Sequence, residues 1–352
     1  MKTALMNTSN VVDDNKAALG QLVTELQFKN NPGLLLKYGV AGKGKCCEDN
    51  LHHFSYLSVA MQLDCTEIFA AYIAWAQKML EARNIPVKDL SNNLDYMDIA
   101  CKELLPGENY DAAHFCILES KERIKNTSTD PETYFNNDNP LLNEAKKYLD
   151  FLLKGNKIQA LALITALVKN GNQLSSVYDN IFKVTQHEIG LRWQNNIITV
   201  AHEHYCTAAT QSIMATLYAH IFTSAKKGRK MVACGVSGDL HEIGIRMLSD
   251  LFELDGWDSY YMGANMPEAN IISALAEQNP QLLAISVTVP FHIIKVRTLI
   301  KNIRNNISLD NIKIMVGGYP FALVKDLWRK VGADAFAPNA KEAIKLANNM
   351  IF

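Results

Sequence analysis

An aspartate, a histidine and a glycine stand close together in SGDLHEIG, residues 237–244, with the spacing Asp239-x-His241-x-x-Gly244. An aspartate two residues before a histidine can accept a hydrogen bond from one imidazole nitrogen and leave the other as a metal ligand. One histidine does not hold a bare ion, so the metal would have to arrive with most of its coordination filled, as in a tetrapyrrole. The alternative is structural: Asp239 and Glu242 form a helix capping box and His241 is simply exposed.

Small residues follow two other apolar runs. Ser286 and Thr288 stand at the end of ISVTV, and Gly317 and Gly318 stand at the end of IMVGG. If each run is a strand of a parallel sheet, these residues share the carboxyl edge of the sheet with His241, where such folds bind ligands. Small side chains there would open a slot in which a bulky ligand lies close to the backbone, and Ser286 could hydrogen-bond a buried polar ring.

The elements that must position these residues begin at residue 230. Short apolar runs alternate with amphipathic stretches from there onward, and the predicted strands are KMVACGV, WDSYYMG, LLAISVTV, IKIMVGG and ADAFA. Alternating strands and helices indicate an α/β domain with a parallel sheet and helices on both faces. We predict a flavodoxin-like, doubly wound, five-stranded domain over residues 229–352.

Two helical segments precede this domain. Residues 140–225 repeat apolar side chains every three or four positions in four stretches, which predicts a four-helix bundle. Residues 1–130 are predicted to be all-helical, with one helical run ending near Pro86. The joints are predicted at 125–140, which is rich in Asn, Thr, Asp and Pro, and at 223–230, which is short and basic.

The composition narrows the class of protein. The chain has 352 residues, of which 48% are hydrophobic and 20% charged, with a formal net charge of -1. No electrostatic bias towards nucleic acid or membrane follows from such a balance, and the N-terminus lacks the pattern of a secretion signal. We expect a cytoplasmic protein. Seven cysteines, an odd number without a C-x-x-C pair, favour reduced thiols over a disulfide scaffold or structural zinc.

The three pieces at the predicted sheet edge together resemble the cobalamin-binding motif shared by methionine synthase, B12 mutases and corrinoid proteins. Residues 245–285 and 289–316 separate the pieces, as in that family. The resemblance implies that His241 is the lower axial ligand of cobalt and Asp239 its hydrogen-bond partner. Thr288 departs from the leucine common in the family. The cofactor site implied, including the slot for the dimethylbenzimidazole tail, comprises Asp239, Leu240, His241, Gly244, Ser286, Thr288, Gly317 and Gly318.

The helical segment before this domain resembles the cap that covers the upper face of the corrin. Trp193, nine further residues and then Glu203-His204 resemble the signature of the B12-dependent photoreceptors, in which these residues cover the adenosyl group of adenosylcobalamin. The resemblance implies that Glu203 binds the ribose hydroxyls and that His204 can replace the adenosyl group as upper ligand after photolysis. The alternative is ordinary: Trp193 is core, and Glu203 and His204 lie on the solvated side of a helix.

Residues 30–125 resemble the N-terminal, globin-like helical domain of the photocobilins, which pair B12 with biliverdin. The resemblance rests on CCEDNLHHFSYLSVAMQL, FAAYIAWAQKMLEARNIP and LSNNLDYM. His52, His53 and Tyr56 fall within one and a half helical turns and could present donors to a bilin. Alternatively, both histidines are surface residues and Tyr56 is core. Cys46 and Cys47 could attach a bilin, but nothing around them in the sequence favours it.

The function expected from these resemblances is light sensing through adenosylcobalamin, with biliverdin as a second chromophore. The protein itself is expected to have no enzymatic activity. Photolysis would move the cap and change a homo-oligomer, and an unidentified protein would receive the signal. The first alternative is a corrinoid methyl carrier of a methyltransferase system, which needs an uncovered upper face. A B12 storage or scaffold protein is a further alternative. Direct binding of nucleic acid or membrane is not expected.

Overall fold

The chain divides into two compact units in the computed structural model, which describes residues 2–125, 133–171, 173–222 and 224–351. The first unit consists of residues 1–129 with 323–325, and the second of residues 130–322 with 326–352. Of the two predicted joints, residues 126–132 and 223 lie outside the described residues. Residues 133–141 carry no helix or strand.

The first unit is helical, as predicted. Its helices within residues 2–125 are α1 (Lys2–Asn30), α2 (Gly33–Leu63), α3 (Thr66–Glu81), α4 (Val87–Leu104) and α5 (Gly107–Lys125). The prediction of one helical run up to Pro86 was wrong, because α2 ends at Leu63 and the next residue, Asp64, is in the left-handed conformation with φ 48°. Asp64 is a short polar residue, a type that tolerates the left-handed conformation. The apolar residues keep a helical spacing before and after it, so the spacing alone does not show that the helix is broken there.

The second unit begins with a helical region, which we call the cap (residues 142–221). Its helices are α6 (Leu142–Leu153), α7 (Lys157–Lys169), α8 (Leu174–Val177), α9 (Val184–Gln194), α10 (Val200–Thr216) and α11 (Tyr218–Ile221). A π-helical turn, Tyr178–Lys183, joins α8 to α9. The four predicted helical stretches are therefore present. Tyr148, Tyr178 and Phe182 are fully buried at the centre of the cap.

A five-stranded parallel sheet forms the rest of the second unit within residues 224–351, all of which the structure describes. Its strands are β1 (Lys230–Val236), β2 (Asp258–Met266), β3 (Leu282–Ser286), β4 (Lys313–Gly317) and β5 (Ala335–Phe336). Their order, β2-β1-β3-β4-β5, is the flavodoxin-like order predicted. The helices are α12 (Ile243–Leu254), α13 (Glu268–Gln278), α14 (Ile293–Arg304), α15 (Tyr319–Leu323), α16 (Leu327–Lys330) and α17 (Ala340–Met350), with a 3-10 turn at Pro290–His292.

The register of the sheet aligns the ends of its inner strands. Ser286 is paired with Gly235 of β1 on one side and with Gly317 of β4 on the other. β3 ends at Ser286, earlier than predicted, so Thr288 lies in the following loop rather than at the end of the strand. Ser286 and Gly317 therefore share one edge, and β1 leads into the loop that carries His241.

Helix α12 packs between the sheet and the cap. Ile245 and Phe252 belong to the core beside the sheet, whereas Met247 and Leu251 belong to the core of the cap. The helix is apolar on two faces and buried on both, as expected for a helix covered by neighbours on two sides. Because α12 begins two residues after His241, the histidine lies where cap and sheet meet.

Candidate cobalamin site

Asp239 is the centre of the loop between β1 and α12. Its side chain is 1% exposed. One carboxylate oxygen accepts hydrogen bonds from the backbone N–H and the Nδ1 of His241, at 3.2 and 2.8 Å. The other accepts the backbone N–H groups of Thr288 at 2.7 Å and Val289 at 3.3 Å. The carboxylate thus joins the His241 loop to the loop after β3.

The capping-box alternative is not what the structure shows. The residue before α12 is Glu242, and it makes no side-chain cap hydrogen bond. Asp239 binds the loop, and the carboxylate of Glu242 accepts hydrogen bonds from Gln211 Nε2 and, at 3.4 Å, from the Tyr261 hydroxyl. The aspartate therefore serves the histidine rather than the helix terminus.

The electrostatics of Asp239 determine which nitrogen of His241 is free. Burial raises the pKa of the carboxyl, but the hydrogen bonds from His241 and the Thr288 N–H outweigh burial and hold the pKa below its usual value. An ionised carboxylate only accepts hydrogen bonds, so Nδ1 of His241 carries the proton and Nε2 keeps its lone pair. The His241 side chain is 59% exposed. Its Nε2 is thus suited to ligate a metal.

The other predicted residues at this edge differ in what they contribute. Ser286 is half-buried at the end of β3. Thr288 contributes its backbone N–H to Asp239, a contact that any residue except proline can make, so its departure from leucine leaves this contact intact. Leu240 is 73% exposed. A Cβ atom at Gly244 would have no neighbouring atom within 4 Å, so there is open space beside the first turn of α12.

Gly317 and Gly318 contact protein backbone. A Cβ at Gly318 would lie 1.9 Å from the Val287 carbonyl oxygen, and its φ of 102° is strained for other residues. A Cβ at Gly317 would approach the Ala337 carbonyl oxygen to 3.3 Å. The two glycines thus allow neighbouring loops to approach each other closely. The sequence predicted glycine here only as a way to open a slot for a ligand, and did not predict this contact between loops.

The residues present suit a metal that brings its own equatorial ligands. Within the described part of the chain, no group of three or more His, Cys, Asp or Glu side chains could hold a bare ion. The Asp239-oriented imidazole would supply one nitrogen ligand, the space beside Gly244 is open, and Ser286 is half-buried at the same edge. A cobalamin fits this donor set, because its corrin ring fills the other positions around cobalt.

The three predicted cap residues lie around the junction of α9 and α10. Trp193 is half-buried in the last turn of α9. Glu203 accepts a hydrogen bond from the Thr207 hydroxyl at 3.0 Å and pairs with Nδ1 of His204. The His204 side chain is 76% exposed. Glu203 and His204 therefore form a pair on the surface of the cap, with the carboxylate bound and the imidazole open.

Contacts between the cap and α12 were not predicted from the sequence. Gln211 of α10 binds Glu242, the residue after His241. The Tyr178 hydroxyl, on the π-helical turn, donates to Asp250 at 2.8 Å. Burial raises the pKa of Asp250 to about 6. No local pattern signals these pairs, since each joins residues 31 or 72 positions apart in the chain.

The residues predicted for a bilin in the first unit do not share an accessible face. His52 is exposed, whereas His53 is 5% exposed and its Nδ1 lies 2.8 Å from the Tyr72 hydroxyl. Tyr56 is half-buried and stacks on Tyr72, with ring centroids 3.7 Å apart. The expectation of three donors presented together was wrong, and so was the alternative that His53 is a surface residue. Burial raises the pKa of the Cys46 thiol to about 11, which disfavours a reactive thiolate there.

Comparison with known proteins gives matches within the second unit. Residues 229–347 match a family model described as a B12 binding domain, and residues 144–218 match a second model with the same description. The dimethylamine corrinoid protein of Methanosarcina barkeri is 25% identical over 206 residues, which are 57% of this chain and 94% of that protein. Dimethylamine corrinoid protein 3 of Methanosarcina mazei is 26% identical over 168 residues, 47% of this chain and 99% of that protein.

A solved structure shows the same fold. The monomethylamine corrinoid protein of Methanosarcina barkeri superposes with a TM-score of 0.54 at 21% identity, covering 60% of this chain and all of that one. Residues 144–218 and 229–347 thus resemble B12 binding domains in sequence, and the solved structure shares the fold. The matches support cobalamin binding and do not extend to the narrower resemblance to photoreceptors. Among the described residues, no helix has the length and apolarity needed to cross a bilayer.

Proposed function

We propose that the second unit holds a corrinoid with His241 below the cobalt and acts as the methyl carrier of a methyltransferase system. The observation that carries this proposal is the similarity to a dimethylamine corrinoid protein over 94% of its length, together with the Asp239–His241 pair. Cobalt in a corrin supplies a centre that accepts a methyl group and passes it on. Such a carrier has no enzymatic activity of its own, since other proteins catalyse both transfers.

The residues of this chain would hold the cofactor by separate means. Asp239 keeps the proton of His241 on Nδ1, so that Nε2 is available to cobalt. The Ser286 hydroxyl and the space beside Gly244 would receive the displaced base of the cofactor. Gln211 and Glu242 connect the cap to the residue after the ligand, so a movement of the cap would be felt at His241.

The lower ligand can be tested by isotope labelling. The protein is produced with histidine labelled with the heavy nitrogen isotope, loaded with cob(II)alamin and examined by electron paramagnetic resonance. Ligation by His241 converts the nitrogen triplet on the cobalt signal to a doublet, and His241→Ala removes the doublet. A triplet that persists in labelled wild-type protein would show that the base of the cofactor still binds cobalt, and would refute the proposed ligation.

The second candidate function is light sensing with adenosylcobalamin. The observation favouring it is the Glu203–His204 pair on the cap, ten and eleven residues after Trp193, with the imidazole exposed as a replacement upper ligand would have to be. In this alternative, light would break the cobalt–carbon bond of the bound cofactor, and the cap would shift and change the homo-oligomer. An unidentified downstream protein would receive the signal.

One preparation separates the two functions. The protein is loaded in darkness with an equimolar mixture of methylcobalamin and adenosylcobalamin, and the retained form is identified after gel filtration. A carrier retains methylcobalamin and elutes at the same volume before and after green light. Selective retention of adenosylcobalamin, with an elution volume that changes on illumination in wild type and not in His204→Ala, would replace the carrier proposal by the light sensor.

Biliverdin binding by the first unit stays a separate proposal, without the donor set that first suggested it. The remaining feature in its favour is an aromatic cluster, in which Tyr72 stacks on the half-buried Tyr56 and also contacts the exposed Trp75. Addition of biliverdin to the full chain tests it. A new far-red absorbance band that Tyr56→Ala abolishes would support binding, and a spectrum equal to that of free biliverdin would reject it.

A further inference from the structure

The loop that carries His241 is tied to the end of strand β2 by one asparagine. Asn265 Oδ1 accepts the backbone N–H of Gly238 at 2.7 Å, and the Asn265 backbone N–H donates to the Asp239 carbonyl oxygen at 3.0 Å. Asn265 has a φ of 55°, in the left-handed region where asparagine is among the favoured residues. Its side chain and its backbone thus bind two successive residues of the loop.

Other contacts leave this loop little freedom on its remaining sides. Gly238 has a φ of 90°, and a Cβ there would lie 2.7 Å from Cε1 of His292, so the loop already lies against that imidazole. Lys295 Nζ donates to the Ser237 carbonyl oxygen at 2.8 Å. The loop is therefore held from β2 by Asn265 and from the region after β3 by His292 and Lys295.

The position of the His241 ring depends on this loop through Asp239. The backbone N–H groups of Thr288 and Val289 bind the Asp239 side-chain carboxylate, and the backbone N–H of Asn265 binds the Asp239 backbone carbonyl oxygen. The imidazole of His241 is in turn bound to that carboxylate. When both ends of an aspartate are anchored, the group that it orients has fewer alternative directions, as with the outer partners of metal-binding histidines.

We infer that Asn265 is a positioning residue for cobalt ligation: by binding Gly238 and Asp239 it sets the direction of the His241 imidazole. This inference rests on the proposed ligation of cobalt by His241. Asn265 acts through Asp239, not by touching the metal. Neither the resemblance to the cobalamin motif nor the matches to known proteins assigns a role to this residue, which is 24 positions after His241 in the chain.

Three variants separate the hydrogen bond from the backbone conformation. Asn265→Gly keeps access to positive φ and removes the side-chain acceptor, whereas Asn265→Asp keeps both the acceptor and tolerance of positive φ. Asn279→Gly is the matched control, because Asn279 is also left-handed, with a φ of 46°, but ends α13 on another part of the sheet domain. A general loosening of the backbone by glycine would affect both glycine variants.

The readout is the cyanide concentration that displaces the lower nitrogen from bound cyanocobalamin, followed by the dicyano spectrum. Loss of one hydrogen bond on the orienting loop is expected to lower the midpoint about fivefold in Asn265→Gly. Asn265→Asp and Asn279→Gly should keep the wild-type midpoint. Thermal unfolding of the apo variants is measured in parallel to confirm that each is folded.

The outcomes distinguish this inference from the proposed function. If labelled wild-type protein shows no doublet in its cob(II)alamin spectrum, the proposed ligation by His241 is refuted, and this inference with it, whatever midpoint is measured. A wild-type doublet together with an unchanged midpoint in Asn265→Gly would overturn the role of Asn265 alone. An equal decrease in Asn265→Gly and Asn279→Gly would also overturn it, because the effect would then come from backbone freedom and not from the loop contact.

Discussion

Each unit of this protein contains a histidine whose Nδ1 lies 2.8 Å from an oxygen atom, yet the two side chains are suited to different tasks. His241 bonds to the carboxylate of Asp239 and is 59% exposed. His53 bonds to the hydroxyl of Tyr72 and is 5% exposed. The same kind of contact therefore orients an exposed imidazole in the second unit and lies in the core of the first.

The charge of the partner adds to this difference. Asp239 is ionised, so it fixes the proton of His241 on Nδ1 and leaves the lone pair on Nε2. Tyr72 is neutral, and burial raises the pKa of its hydroxyl well above the usual value. Burial, with a smaller contribution from the charge of His52, lowers the pKa of His53 to about 4. The two histidines therefore differ in the charge of the hydrogen-bond partner as well as in the exposure of the side chain.

The largest difference between the two histidines should appear in cobalt ligation. We expect His241→Gly to lose the lower nitrogen completely and to regain a nitrogen signal when imidazole fills the space left by the side chain. His53→Gly should bind and ligate cob(II)alamin as wild type does, with or without imidazole. Electron paramagnetic resonance of the labelled proteins measures both. Loss of the doublet in His53→Gly would break the comparison, because the first unit would then take part in ligation.

The next largest effect concerns acid. The pKa of His53 falls from 6.5 to about 4 on folding, so the unfolded chain binds the proton more tightly. The stability that neutral His53 contributes is present above the unfolded pKa and is lost as the pH falls from about 6.5 towards 4, by about 3 kcal/mol in total. Hydrogen exchange of the α2 and α3 amides in the full chain, corrected for intrinsic rates, measures this loss.

A neighbouring histidine provides the control for that experiment. His52→Gln removes an exposed imidazole on the same helix and should leave the acid-dependent loss of protection unchanged. His53→Gln should unfold more easily at neutral pH but lose little further protection on acidification. If His52→Gln abolished the acid dependence and His53→Gln preserved it, the assignment of the buried neutral imidazole would be wrong.

How much of this could be predicted depended on distance along the chain. The sheet was predictable because its inner strands are short apolar runs, buried on both faces. Asp239 and His241 are two residues apart, so their contact follows from one turn of backbone. Asn265 could not be predicted as their partner, because its role needs the register of β1 against β2 and a left-handed residue within an edge strand.

The first unit was predicted less well for a related reason. Helical spacing placed His52, His53 and Tyr56 near one another, but it did not determine which of them faces α3. The ring of Tyr72, sixteen or more positions away, makes that choice by stacking on Tyr56 and binding His53. The buried polar network of the first unit also joins distant positions: Asn50 binds Thr24 of α1, and Asn93 of α4 binds Asn50. Such contacts depend on packing between helices, which periodicity does not specify.

A smaller effect is expected when the charge of the orienting partner is removed. Asp239→Asn keeps one acceptor oxygen for His241 but loses the charge and the second acceptor oxygen, which binds the backbone N–H groups of Thr288 and Val289. We expect cobalamin affinity to fall about 10- to 100-fold, as for other outer partners of metal-binding histidines. Asp258→Asn is the matched control, because Asp258 is mostly exposed and lies at the start of β2, the end of the strand away from the His241 loop. Equal affinities in all three proteins, measured by titration of the apo protein with aquacobalamin, would show that the charge of Asp239 has no part in ligation.

The smallest predicted effect comes from the corresponding change in the first unit. Tyr72→Phe removes the hydroxyl and leaves Nδ1 of a buried imidazole without its partner, which should cost about 1–2 kcal/mol of local stability. Protection of the α2 and α3 amides at neutral pH measures this cost, and a double-mutant cycle with His53→Leu isolates the hydrogen bond. Cobalamin affinity should not change. Strict additivity in the cycle would mean that the 2.8 Å contact between His53 Nδ1 and the Tyr72 hydroxyl contributes no stability. The hydrogen bond of His53 would then orient the ring without stabilising the fold.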